Sequence, residues 1–337
     1  MKAASTRGFG FSSPMVTVNA EQPVPGDKDV LVKVHASSVN PKDWKLNQTF
    51  SSLIPPIAFL EKPLLIGDDL AGEVVAKGAL VTDFEIGDAV YGMDMRLRTA
   101  ACAEFARIDA GCIAKKPENI SFAEAAACPL AGLTALQGLR IGHTGVGSKV
   151  MIIGASGGVG TFAVQLAKAM GAIVTGVCSA KNARIVRELG ADHIIDYNKE
   201  DLGKRQDDFD VVFDVTSYHS LASCTKLMKA DGIFVSTGGN AHAIVSSIRD
   251  RLLFKNQKSK IVLVHSNTAD LQALASYIEQ GLVRPVIDSQ FNLEDINEAY
   301  KRNKTGRCVG KVVVLVKGKR AKAKHSHAEV EPGAIVL

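Results

Sequence analysis

The chain has 337 residues, enough for two domains or one large α/β unit with a sizeable core. Its 46% hydrophobic and 22% charged content is ordinary for a soluble globular protein. No stretch offers the unbroken apolar run that a bilayer span needs, and the formal net charge of +5 does not make nucleic acid a main partner.

Much of that charge lies at one end. From Lys317 onward five Lys/Arg face two Glu, so +3 of the +5 belongs to residues 317–337. This segment has little apolar content until its end, and the reading is a disordered, solvated tail, with a membrane- or RNA-touching tail as the other possibility. The six cysteines lie far apart with no CxxC pair, which argues for reduced thiols in a cytoplasmic setting. No apolar signal region opens the chain.

Up to about Phe122 the chain reads as strands and turns. Asp29 to His35, Gly72 to Ala76 and Asp88 to Tyr91 are strand candidates, punctuated by Pro25-Gly26 and Gly87-Asp88 turns. The texture changes at Ser121, where Ser121 and Glu124 form a capping box and an Ala-rich helix begins. Pro129 to Thr134 continues into further helical sequence. The Phe50 to Leu65 stretch is rich in Leu, Ile, Pro and Phe, and reads either as an apolar lid or as packing within its own module.

From Lys149 strands and helices alternate. The strands are Lys149 to Ile153, Ile173 to Cys178, His193 to Asp196, Phe209 to Val215, Gly232 to Ser236 and Lys260 to Val264. Six strands with helical crossovers predict a doubly wound parallel sheet. A helix at Ala269 to Gln280 and a strand at Lys311 to Val316 follow, the latter a candidate to return to the first module.

The stretch Lys149 to Gly160 (KVMIIGASGGVG) carries the first chemistry. Gly154 suits the tight turn, Gly157 the close approach of a pyrophosphate, and Gly160 the packing of helix on strand. The N–H groups of the helix that starts at Gly158, Val159 and Gly160 would face phosphates, with Ser156 where a glycine often sits. No acid ends the second strand, so nothing there suits the ribose 2′-OH of NAD. Ser179, Lys181 and Arg184 instead offer a hydroxyl and positive charge for an NADP 2′-phosphate; a solvated helix start is the other reading of the two cations.

The order of motifs makes a family visible. Ser38-Val39-Asn40-Pro41-Lys42-Asp43, Gly67-Asp68-Asp69-Leu70-Ala71-Gly72, Gly87-Asp88-Ala89-Val90-Tyr91-Gly92, Pro129 to Ala135, GASGGVG and Gly306-Arg307 to Gly310-Lys311 follow one another. The chain resembles the medium-chain dehydrogenase/reductase superfamily, in its zinc-free, zeta-crystallin-like quinone oxidoreductase branch, from residue 1 to about 316. The resemblance implies an α/β protein: a GroES-like β-rich catalytic domain interrupted by a Rossmann domain. The expected boundaries are 1–124 for the first part of the catalytic domain, 125–264 for the NADPH-binding domain and 265–316 for the return. A homodimer is also implied.

Site residues follow from the resemblance. Asn40 stands at the quinone reductases' active-site asparagine. Tyr197 matches a phosphate-contacting tyrosine; Thr134 should sit under the nicotinamide, or equally be a helix residue bonding its own backbone; Gly238 and Lys311 complete the cofactor set. His265 to Asn267 falls where relatives pass near the nicotinamide. Asp43 and Lys45 follow Asn40; Lys45 could stabilise an oxyanion or supply a proton, or be a surface ammonium, and Asp43 could cap its own turn. Where the zinc enzymes carry a Cys the chain reads Ser37-Ser38-Val39-Asn40, with none, and their Gly-His-Glu is Gly67-Asp68-Asp69, so no metal is expected and Asp69 should hydrogen-bond within the site wall.

Without a Lewis acid, hydride delivery to a small apolar electrophile, a quinone or an enone, is the expected chemistry. The alternative is an NADPH-binding structural, RNA-binding or sensing protein with incidental reductase activity.

Overall fold

The computed structural model describes residues 1–6, 14–43, 65–95, 99–238 and 258–316. Lys45, nearly all of the Phe50 to Leu65 stretch and the basic tail therefore lie outside the described residues.

The first module is built from β1 (Lys2–Thr6), β2 (Met15–Asn19), β3 (Asp29–Ser38), β4 (Asp69–Lys77), β5 (Ala89–Met93), β6 (Phe105–Asp109) and β7 (Ile113–Lys115). β3 is the organiser. Its first half pairs with β6 and its second half approaches the C-terminal strand, while β4 runs along both halves. Val30, Val32 and Val34 alternate into one apolar cluster with Leu70, Val74 and Ile108. A register shift against β4 between Val34 and Ala36 then interrupts the alternation, and Ala36, Ser37 and Ser38 are all buried.

The capping box forms as expected: Glu124 N–H donates to Ser121 Oγ, and Glu124 Oε2 accepts from the Ser121 N–H at 2.8 Å. The helix it starts, α1 (Phe122–Ala126), is short, however, and does not run on. A second helix, α2 (Pro129–Ile141), begins with Pro129 in its first turn. Proline has no N–H to give and its ring crowds the preceding turn, so it opens a helix rather than continuing one.

The second sheet holds β8 (Lys149–Ile153), β9 (Ile173–Cys178), β10 (His193–Asp196), β11 (Phe209–Asp214), β12 (Met228–Thr237) and β13 (Lys258–Val262). All pairings are parallel, in the order β10-β9-β8-β11-β12-β13, the doubly wound arrangement. β8 shows why it reads as an unbroken apolar run. Val150 and Ile152 enter the cluster containing Leu136, Leu139 and Phe162; Met151 and Ile153 enter the opposite one with Leu221, Leu227 and Phe234. Helices α3 (Gly158–Ala169), α4 (Ala183–Glu188) and α5 (Leu221–Cys224) lie among the crossovers.

After α6 (Thr268–Glu279) the chain does return to the first sheet. β14 (Ile287–Asn292), α7 (Ile296–Lys304) and β15 (Lys311–Leu315) form a parallel unit, and Val313, Val314 and Leu315 pair antiparallel with Ser38, Ser37 and Ala36. At the head of β15 the two sheets meet. Gly310 bridges to Gly157, and the Gly310 N–H donates to the Ser156 carbonyl at 3.0 Å. The glycine turn is thus fixed against the strand that carries Lys311.

Candidate active site

The turn after β8 has the conformation its glycines predict. Gly154 takes φ +87°, where a side chain would be strained, and a Cβ at Gly160 would fall 2.1 Å from the Gly154 carbonyl oxygen. Gly157 differs: a Cβ there would meet only that same oxygen, at 3.4 Å. Its role is therefore not forced by the packing of the chain itself. Gly157 caps α3 without a side-chain hydrogen bond, leaving the first N–H groups at Gly158, Val159 and Gly160 for an anion. Asn182 adds a contact that sequence reasoning missed, donating to Ser156 Oγ at 2.9 Å and tying the turn to the end of β9.

β9 and β10 end side by side, with Cys178 paired to Asp196. Ser179 and Tyr197 therefore follow adjacent strand ends. Ser179 is buried, whereas Lys181, Arg184 and Tyr197 are exposed, and the Arg184 side chain is paired with Glu188 at 2.8 Å. That surface pair is worth at most about 1 kcal/mol, so it does not bar a phosphate. Gly238 closes the neighbouring edge, its N–H reaching the Val262 carbonyl at 3.4 Å. These residues and the open turn fit a dinucleotide.

Across from the turn, Asn40, Asp69, Ser38 and Lys311 form one buried cluster. Asp69 is fully buried and accepts from four donors: Ser38 Oγ at 2.5 Å, Asn40 Nδ2 at 2.8 Å, the Leu130 N–H at 2.8 Å and Lys311 Nζ at 3.4 Å. The Leu130 bond sets the carboxylate at the N-terminus of α2, where an anion is favoured. Lys311 Nζ also donates to Asn40 Oδ1 at 2.5 Å, and its Cδ lies 3.1 Å from where a Cβ on Gly158 would be. Lys311 thus touches both the glycine turn and the asparagine.

The other expected residues divide. Asp43 is turned onto its own segment and α7, accepting from the Asn40 N–H at 3.0 Å and the Tyr300 hydroxyl at 2.8 Å. Burial raises its pKa, and burial with the neighbouring Asp43 pushes the Tyr300 phenol well up. Thr134 donates to the Leu130 carbonyl at 2.6 Å, a bond to its own helix. His265 is held by its backbone, which exchanges hydrogen bonds with Gln137. Lys45 lies outside the described residues.

Two residues that the sequence did not single out as a pair stand beside the cluster. Lys42 Nζ donates to Asp68 Oδ1 at 2.8 Å. Asp68 is buried, and burial, then the charge of Asp43, pushes its pKa up to about 7.

Comparison with known proteins places this arrangement. Residues 26–152 match the Alcohol dehydrogenase GroES-like domain family, and residues 189–314 match a family described as Zinc-binding dehydrogenase. The chain is 32% identical over 320 residues to a chloroplast envelope quinone oxidoreductase homolog of Arabidopsis thaliana, covering 90% of this chain and 95% of that protein. This chain belongs to the medium-chain dehydrogenase/reductase superfamily. An NADPH-dependent alkenal/one oxidoreductase of the same plant is 33% identical, covering 86% of this chain and 72% of its own length. The quinone oxidoreductase of Coxiella burnetii superposes with a TM-score of 0.80 at 29% identity, over 94% of this chain and 99% of that one. The chain is accordingly an oxidoreductase of the kind that uses a nicotinamide cofactor.

The zinc that one matched family's description implies does not suit the residues present. Among the described residues no group of three or more His, Cys, Asp or Glu could hold a metal. Asp69 is already saturated by donors, and the cations beside Asp69 and Asp68 are the ammonium groups of Lys311 and Lys42. The two buried thiols nearby, Cys102 and Cys128, are no better as ligands. Burial pushes Cys102 up to about 12 and Cys128 well above its ordinary value, and each is already engaged within the protein, Cys102 with Ser37 Oγ at 3.2 Å and Cys128 with the Glu124 carbonyl at 3.1 Å. Among the described residues no helix is long and apolar enough to cross a membrane.

Proposed function

We propose that this chain is an NADPH-dependent, metal-free reductase that gives hydride to a quinone or an α,β-unsaturated carbonyl compound. One observation carries the reading: Lys311 joins the dinucleotide turn to the buried Asn40–Asp69 pair, whose carboxylate is already taken up by donors of the protein itself.

Gly158, Val159 and Gly160 receive the pyrophosphate on the N–H groups of α3, and Gly157, without a side chain, leaves room for it. Ser179, Lys181 and Arg184, with Tyr197 beside them, receive the 2′-phosphate by hydroxyl and charge. When bound, NADPH supplies the hydride. Asn40, whose amide is held at both ends by Asp69 and Lys311, is in this reading the polar residue at the nicotinamide end or the acceptor. Lys311 and Asp69 are positioning residues, and Thr134 and Gly238 line the approach. Nothing in this set lowers the pKa of an alcohol, which favours acceptors that are already electron-poor. The relatives named for quinones and alkenals support the acceptor class.

The test is NADPH oxidation against a panel of quinones, 2-alkenals and enones. Turnover of members of this panel, with simple ketones and aldehydes untouched, is expected; no turnover of any of them overturns the reading.

A further inference from the structure

We propose that Lys42, held in place by Asp68, delivers the proton that completes the reduction. This rests on the reductase reading above.

The geometry is that of a poised donor. An ammonium has three N–H bonds. Lys42 Nζ gives one to Asp68 Oδ1 at 2.8 Å and one to the Met95 carbonyl at 3.3 Å. Its third has no acceptor among the described residues. The Lys42 side chain keeps 18% of its surface exposed while that of Asp68 keeps only 4%. The lysine is therefore the more accessible member of the pair. Asp68 stands behind it, its Oδ2 buried without a hydrogen-bond partner among the described residues. A carboxylate left so incompletely solvated holds a proton readily.

The charges around the pair act in the same sense. Asp43 from the same turn and Asp69 from β4 both raise Asp68, burial being the larger cause, while Lys42 opposes them. Cys102 and Tyr300 also face this group of acids. Asp94, after β5, donates its N–H to the Asp68 carbonyl at 3.3 Å, and Lys311 serves Asp69. The result is a carboxyl that titrates at about 7 next to an ammonium.

The proton count follows. An enone or quinone that has taken hydride is an enolate or a hydroquinone anion, and it needs one proton and no further electrons. That proton leaves Lys42 as its N–H bond breaks and an O–H or C–H bond forms on the product. Asp68 then passes its own proton to the lysine, breaking an O–H and remaking the N–H. The pair ends as carboxylate and ammonium, neutral overall, and water reprotonates the carboxylate. With Asp68 already ionised, the same donation would leave a buried net negative charge, which is costly. Turnover limited by this step therefore falls as pH rises through about 7.

The test compares the wild-type protein with Asp68→Asn, Lys42→Met and Lys42→Arg. In the ligand-free protein, carbon-13 NMR of labelled aspartate carboxyls should show a titration near 7 that Asp68→Asn removes. With NADPH and an enone, Asp68→Asn should lower kcat roughly a hundredfold and abolish the fall near neutrality, leaving NADPH affinity unchanged. Lys42→Met should lower kcat likewise, and Lys42→Arg, which keeps the charge but not a proton it can give up, should restore neither kcat nor the pH profile. If Asp68→Asn fails to fold, the two Lys42 variants decide by the same readouts.

A folded Asp68→Asn with wild-type kcat and pH profile overturns the proposal, as does a kcat loss that leaves the profile in place. If the wild-type protein turns over no quinone or enone, the reductase reading fails and this proposal falls with it. If the wild-type protein is active and indifferent to both substitutions, only this proposal fails.

Discussion

Lys311 and Asn40 are bonded across 271 positions of sequence, Nζ to Oδ1 at 2.5 Å, while Gly310 beside that lysine grips the Ser156 carbonyl. The last strand of the described chain thereby fixes the distance between the dinucleotide turn and the polar wall facing it. Removing the cation should leave Asp69 buried with its charge uncompensated. Lys311→Met is expected to cost about 3 kcal/mol or more in urea unfolding, and Asp69→Asn in the same protein should return part of it. A neutral result for the single variant would mean that the hydrogen bonds alone hold the carboxylate.

Gly157 and Gly160 should separate in their effects. Gly160→Ala drives a methyl into backbone, so both thermal stability and NADPH binding should fall. Gly157→Ala fits the empty turn, since its backbone is extended (φ −78°, ψ 179°) and only one atom lies at 3.4 Å. It should melt near the wild-type temperature yet weaken NADPH at least about tenfold, or 1.4 kcal/mol, in a fluorescence titration. Equal losses in both variants would argue against an anion on these N–H groups.

The phosphate specificity can be read from charge reversal. Lys181→Glu with Arg184→Glu should lower kcat/KM for NADPH by about 10²-fold, two lost charge-assisted contacts, and change that for NADH little. Since both side chains are exposed, the fold should be unaffected, which circular dichroism checks.

Asp68 also makes a stability prediction that does not depend on any ligand. Its carboxyl titrates at about 7 in the folded protein, where burial and then Asp43 oppose ionisation, and near 3.9 when unfolded. The folded state therefore binds the extra proton between these values, and stability falls as pH rises from about 4 to about 7. Asp68→Asn should flatten that part of the curve in denaturant titrations; an unchanged curve would assign the slope to other groups.

What could be read in advance had a local cause. β9 falls on the expected residues because it is a buried run between turn residues, and the capping box of α1 is written in four letters. β14 carried no such mark. Its six residues are all half-buried, so no alternation appears, and it is a strand because β15 pairs with it. The break between α1 and α2 was legible in Pro129 but overridden by the Ala-rich run around it. Asn40, Asp69 and Lys311 could each be suspected from their motifs, yet their convergence on one carboxylate is tertiary. The Lys42–Asp68 pair was hidden for the same reason: 26 positions separate a lysine and an aspartate that look like ordinary turn residues.

The central claim is hydride transfer to an electron-poor acceptor without a metal. Its most direct measurement is NADPH oxidation with a 2-alkenal or quinone by protein dialysed against a strong chelator and checked for metal content. The account predicts full turnover by the metal-free protein and no gain when zinc is added back. Loss of turnover on chelation, restored by zinc, would contradict it.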